Sequence, residues 1–102
     1  MPAGRVNAFV GIDAGTTGCT VMIFDERGNA LGHGYEEYPC VSPNPGWSEQ
    51  DVELVWAGIC AASRQAVAKA GLPAEAYRSV GLSSQRGTFC ALDAARKPLA
   101  NS

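Results

Sequence analysis

The chain has 102 residues, of which 46% are hydrophobic and 18% charged, with a net charge of -2. That length fits one small domain or a portion of a larger one, and the apolar share excludes a disordered tail. No cluster of Lys and Arg occurs, which argues against nucleic acid as a main partner, and no apolar run approaches the roughly 20 residues that cross a bilayer.

Residues 1–7 read as a frayed leader without the apolar middle of a secretion signal, so the expected compartment is the cytoplasm and no membrane is expected as a partner. Cys19, Cys40, Cys60 and Cys90 lack the paired spacing of a metal site. In an intracellular chain they read as buried small hydrophobes. His33 is the single histidine. It reads as a surface or packing residue, and a histidine-rich metal site is excluded.

Residues 8–13 predict a strand whose successive apolar positions imply burial on both faces. It ends in the carboxylate of Asp13, at the end of a strand, where active-site groups of α/β folds tend to lie. Residues 14–18 form a turn in which Gly15 and Gly18 permit positive φ and close backbone approach. Residues 19–25 predict a second strand, with Val21 and Ile23 on one side and Met22 and Phe24 on the other. This arrangement places backbone N–H groups, the hydroxyls of Thr16 and Thr17 and a metal-attracting Asp13 at one point. A nucleotide phosphate tail with magnesium needs those groups. The same spacing also fits a plain hairpin with a glycine turn.

Asp25-Glu26-Arg27-Gly28-Asn29 signals a tight turn, with glycine placed for a bulged hairpin. Residues 30–38 predict a third strand. Ala30, Gly32 and Gly34 leave few side chains to pack, which implies an outer strand or a bulge. Pro39, Pro43, Pro45 and Gly46 make residues 39–50 a loop. Trp47 most simply caps a core edge, with a ligand-facing role as the lesser alternative.

A helix follows, with Asp51 as N-cap and Ser48 as a rival start. Val52, Val55, Trp56, Ile59, Ala62, Ala66, Val67 and Ala70 recur on one face. Gly71 closes the helix, Pro73 stops it, and residues 73–78 make at most one further turn. Residues 79–84 predict a fourth strand parallel to an earlier one. Gln85-Arg86-Gly87 interrupts the pattern, and residues 88–93 predict a fifth strand. The polar stretch from Asp93 to Pro98 is a second turn.

Three meandering strands, a crossover helix and a return strand make the first half of a ribonuclease H-like unit. The predicted fold class is therefore α/β. It is a partial actin-like ATPase domain, with a mixed sheet of about five strands and one main crossover helix. Within that class several blocks resemble the FGGY family of carbohydrate kinases, the group containing glycerol kinase and xylulokinase. They are Gly11-Ile12-Asp13-Ala14-Gly15-Thr16-Thr17, the Phe24-Asp25 to Gly28 turn, Pro45-Gly46-Trp47-Ser48-Glu49-Gln50-Asp51, Trp56, and Gly81-Leu82-Ser83-Ser84-Gln85-Arg86. The first block is shared with other actin-like ATPases. The Pro-Gly-Trp block and the Gln-Arg block are more specific and argue against a chaperone-type nucleotide domain.

The resemblance implies ATP-dependent phosphoryl transfer to a hydroxyl of a sugar or polyol. It implies that Gly15, Thr16 and Thr17 line the phosphates and that Asp13 holds Mg2+, through water or directly. Arg86, with Gln85 beside it, would reach the substrate hydroxyls, since its fork of donors suits vicinal oxygens. Outside the family, Arg86 would read as a surface ion pair. No lysine and no helix follow the glycine turn, so it is not a Walker loop.

The departures from the family are specific. Glycerol kinases carry a glutamate after this arginine, where Gly87 stands, and xylulokinases carry Met-His in place of Arg86-Gly87. An acceptor is lost and space is gained, which implies a substrate larger than glycerol. Thr20 stands where glycerol kinases often carry an arginine. Family members are several times longer, with two domains. Their catalytic-base aspartate lies beyond residue 102, so no residue here is assigned as catalytic and the second domain is absent. The chain is therefore read as the N-terminal portion of the first domain of a sugar kinase, inactive and with weak or absent ATP binding alone, and self-associating through exposed strands. The alternative is a non-catalytic structural or interaction module of the same fold.

Overall fold

A computed structural model describes residues 6–102. Residues 1–5 of the expected leader lie outside the described residues. The order of elements is β1 (Ala8–Ala14), β2 (Gly18–Phe24), β3 (Ala30–Glu37), α1 (Val52–Ala70), a single 3-10 turn (Ala74–Ala76) and β4 (Tyr77–Ser84). The four strands form one mixed sheet in the order β3-β2-β1-β4. β1 runs antiparallel to β2 and parallel to β4, which returns to it through α1.

Side chains alternate across the sheet, as extended backbone requires. Cys19, Val21 and Ile23 of β2 point to the helix side and are fully buried. Burying an aliphatic side chain of that size contributes about 2 kcal/mol. Ala62 and Ala66 of α1 close the core above them, with Val10, Ile12, Val55 and Ile59 packed around. The opposite face of β1, which carries Phe9, Gly11 and Asp13, is uncovered by any described element. The expected burial of β1 on both faces is therefore corrected to one face.

β3 is an outer strand, and a bulge separates Ile23 from Phe24 where β2 meets it. Its glycines have a further reason. A Cβ at Gly32 would strike the Ala66 carbonyl, and one at Gly34 the Ala62 carbonyl. The helix backbone rests directly on this strand. That close seat draws α1 over β2 and β3 and leaves β4 bare. Val80 and Leu82 are in register with Val10 and Ile12, yet they are 63% and 70% exposed.

The helix ends behave as its sequence dictates. The Asp51 carboxylate accepts from the Glu53 N–H at 2.9 Å, and Gly71 closes the last turn at φ 64°. The apolar stripe is narrower than expected. Trp56 is 63% exposed and Val67 is also exposed, because the small residues Gly58, Ala62 and Ala66 make the contact face. Trp47 is 58% exposed and caps no core edge. Of the four cysteines only Cys19 is buried; Cys40 is exposed, and Cys60 and Cys90 are half-buried.

Residues 88–93 do not form a fifth strand. Residues 91–99 instead fold on themselves, with a single bridge between Leu92 and Pro98 and a 2.9 Å bond from the Leu99 N–H to the Ala91 carbonyl. The tight turn at its tip repeats the one at Asp25. Asp25 accepts from the N–H groups of Arg27 and Asn29, and Asp93 accepts from those of Ala95 and Lys97. Gly28 takes the left-handed position in the first turn at φ 81°, and Arg96 takes it in the second at φ 64°. No described helix is long and apolar enough to cross a membrane.

Candidate functional site

The site is built where three chain segments meet at one end of the sheet. Gly15–Thr17 links β1 to β2, and the Gly15 N–H donates to the Gly18 carbonyl at 2.9 Å. Neither Gly15 nor Gly18 takes a positive φ, which corrects the expected use of their freedom. Gly18 is required by approach instead, since a Cβ there would press on the Glu36 carbonyl of β3. Buried Tyr38 reaches under the turn and donates to the carbonyls of Gly15 and Gly18. Burial pushes its hydroxyl pKa up, so the group stays neutral and keeps its proton to donate.

The second segment is the end of β4. The Gln85 N–H continues the parallel ladder by donating to the Ala14 carbonyl at 3.0 Å. Its side chain turns toward the glycine turn, where Thr16 Oγ1 donates to Gln85 Oε1 at 3.1 Å. The third segment is Gln50, directly before the α1 cap and only 4% exposed. Gln50 Nε2 donates to the Thr16 carbonyl at 2.6 Å, and Gln85 Nε2 donates to Gln50 Oε1 at 2.6 Å. The backbone of Gln50 is held in turn by Ser102, through bonds of 3.0 and 2.8 Å.

Of the expected site residues, Asp13 borders one hollow and Thr16 and Gln85 another. Asp13 is exposed on the open sheet face, paired across the ladder with Thr20 and Ser83. It borders a shallow depression of about 600 Å³ that also touches Gly11, Met22 and Phe24. Thr16 and Gln85 border a separate cavity of about 410 Å³ with Ser48, Gln50 and Phe89. Arg86 is exposed in the turn that follows, and Gly87 takes φ 70° there. Thr17 is exposed beside Thr16. Among the described residues no three of His, Cys, Asp and Glu gather as a metal cluster. Asp13 therefore offers a single carboxylate. That suits a magnesium ion that keeps most of its water or takes phosphate oxygens, and it suits no protein-caged metal.

Sequence reasoning missed Gln50 and Tyr38. Gln50 stood within the Pro-Gly-Trp block, but only the closed fold reveals that a polar side chain there is buried. Tyr38 gave no local signal beyond its place after a strand.

Residues 8–102 match the FGGY family of carbohydrate kinases, N-terminal domain. A glycerol kinase of Acidovorax sp. (strain JS42) is 42% identical over 77 residues, which are 76% of this chain and 16% of that protein. A glycerol kinase of Haloquadratum walsbyi is 37% identical over 97 residues, 93% of this chain and 19% of that protein. Among solved structures, a xyloylose kinase from Brucella ovis superposes with a TM-score of 0.88 at 30% identity, over 93% of this chain and 20% of that one. Plasmodium falciparum glycerol kinase with ADP shares the fold, with a TM-score of 0.79 at 24% identity over 94% of this chain and 20% of that one. The chain thus spans about a fifth or less of the length of these relatives. It belongs to the FGGY family of carbohydrate kinases, within the N-terminal domain.

Proposed function

We propose that this chain is the N-terminal portion of the first ribonuclease H-like domain of an ATP-dependent carbohydrate kinase. The whole enzyme would transfer the γ-phosphoryl group of ATP to a hydroxyl of a sugar or polyol. The observation that carries this reading is the bond between Thr16 and Gln85. It brings the glycine turn and the Gln85-Arg86 segment, two elements 69 residues apart, to one point. Phosphoryl transfer depends on positioning and charge neutralisation more than on covalent chemistry, and that junction supplies positioning.

In this reading the backbone of Gly15–Thr17 and the Thr17 hydroxyl hold the phosphates of ATP, while Thr16, whose hydroxyl donates to Gln85, sets the turn in place beside them. Asp13 holds Mg2+ through its water shell. The bound Mg2+ would supply positive charge against the phosphate oxygens. Arg86 donates to substrate hydroxyls, with Gln85 beside it. Gly87 adds no side chain of its own, which favours a polyol or sugar larger than glycerol. No residue of this chain is given the role of catalytic base.

The same reading has the isolated chain weak or lacking in ATP binding and associating with copies of itself through the bare β4 edge, where Val80 and Leu82 are exposed. A non-catalytic module has no observation of its own in its favour.

The test is ADP release against a panel of polyols and ketoses, with this chain and any longer product of its reading frame assayed side by side. Turnover of one substrate by the longer product, with none by the 102-residue chain, is the expected result. Arg86→Ala in the active form is expected to raise KM for the sugar about 10- to 100-fold, the effect of losing a charged hydrogen bond, and to leave KM for ATP near its original value. Absence of phosphorylation by every form would overturn the reading.

A further inference from the structure

We propose that Gln50 is a positioning residue that ties the phosphate turn to the substrate strand, so that Gly15–Thr17 and Gln85-Arg86 move as one unit. This inference rests on the kinase reading for its meaning, while its geometry stands independently.

Three side chains and one carbonyl close a ring. Gln50 donates to the Thr16 carbonyl, Gln85 donates to Gln50, and Thr16 donates to Gln85. The directions admit one solution. A backbone carbonyl only accepts, so the Gln50 amide must turn its nitrogen to Thr16 and its oxygen to Gln85. Gln85 must then present its nitrogen to Gln50, which leaves its oxygen for the Thr16 hydroxyl. A buried amide with every direction set in this way favours one arrangement, because opening it strands a donor or an acceptor. Gln50 is also fixed from behind. Asp51 caps α1 immediately after it, and Ser102 bonds its backbone on both sides. The ring therefore links the helix start, the β1–β2 turn and the end of β4. Gln50 itself borders the cavity beside Thr16 and Gln85.

The test is residue-resolved amide hydrogen exchange by NMR on the 102-residue chain. The reporters are Gly15 in the turn, Gln85 at the end of β4, and Val21 and Ile23 in the core. Gln50→Leu removes both bonds, and exchange at Gly15 and Gln85 is expected to quicken together, at least tenfold, with Val21 and Ile23 unchanged. Gln50→Glu keeps the acceptor toward Gln85 but loses the donor to the Thr16 carbonyl. Exchange at Gly15 alone is then expected to quicken. A purely structural role would move the core reporters Val21 and Ile23 in either variant, or both Gly15 and Gln85 in Gln50→Glu. That result, or unchanged exchange at Gly15 and Gln85 in Gln50→Leu, overturns the proposal.

A titration with MgADP separates this inference from the kinase reading. Shifts that begin at Gly15–Thr17, reach Gln85 and Arg86 in the wild type, and stop at the turn in Gln50→Leu support the coupling. Shifts that reach Gln85 equally in Gln50→Leu overturn it. If MgADP moves no turn amide at all, the isolated chain binds no nucleotide, which the kinase reading allows, and the exchange data alone decide the role of Gln50.

Discussion

At the scale of single residues, the polar groups that organise this chain are carboxylates and amides folded back on backbone. Asp25 accepts from Asn29 Nδ2 at 3.0 Å as well as from two backbone N–H groups. The Asn29 side chain first, then the Asn29 backbone, holds its carboxyl below the usual aspartate range. A lowered folded-state pKa gives stability that is present above the unfolded value and lost as pH falls through the folded one. Asp25→Asn is therefore expected to lower the urea midpoint at pH 7, and the gap to the wild type should begin to narrow only below about pH 4, as pH falls toward the lowered folded value. Equal gaps at pH 7 and pH 3 would contradict this account. The Asp25 turn was fully legible, since Asp and Gly at that spacing act locally. Gln50 and Trp47 were not. Each sits in a proline-rich loop, where burial depends on which distant segment arrives, and Ser102 arrives on Gln50 while nothing described covers Trp47.

At the scale of elements, the four strands, the cap at Asp51 and the stop at Gly71 could all be read from the chain. The seat of α1 on β3 could not. Gly32 and Gly34 signalled a strand with little to pack, and their actual use is to admit the carbonyls of Ala62 and Ala66. Gly34→Ala would force backbone against a new methyl group. It is expected to cost about 2–3 kcal/mol, the upper part of the range for overpacking, read as a loss of urea midpoint. A loss below about 0.5 kcal/mol would show that the helix can lift at small cost. The missing fifth strand was not legible for a different reason. The apolar run Phe89 to Leu92 makes a strand possible, but a strand forms only beside a partner. The local hairpin to Leu99 supplies the pairing that β4 does not.

At the scale of the whole molecule, coverage is lopsided. α1 lies over β2 and β3, while β4 offers an unpaired edge and two large aliphatic side chains to solvent. Such an edge is a template for another strand. Light scattering at tens of micromolar is expected to give a mass above that of one chain. Val80→Lys together with Leu82→Lys should return it to the monomer, since edge lysines block strand addition. A monomeric mass for the unaltered chain would sink this expectation.

The shape of the chain decides how that measurement has to be made. Its extents are 57 × 29 × 20 Å and its radius of gyration is 16.4 Å, against about 13 Å for a compact domain of 100 residues. A body twice as long as it is wide drags on solvent like a heavier sphere. On a gel-filtration column a single copy would elute early, at the position of a larger globular standard. Elution volume would then overstate the mass of one molecule, and only a mass that is independent of friction tells the solitary chain from its pair.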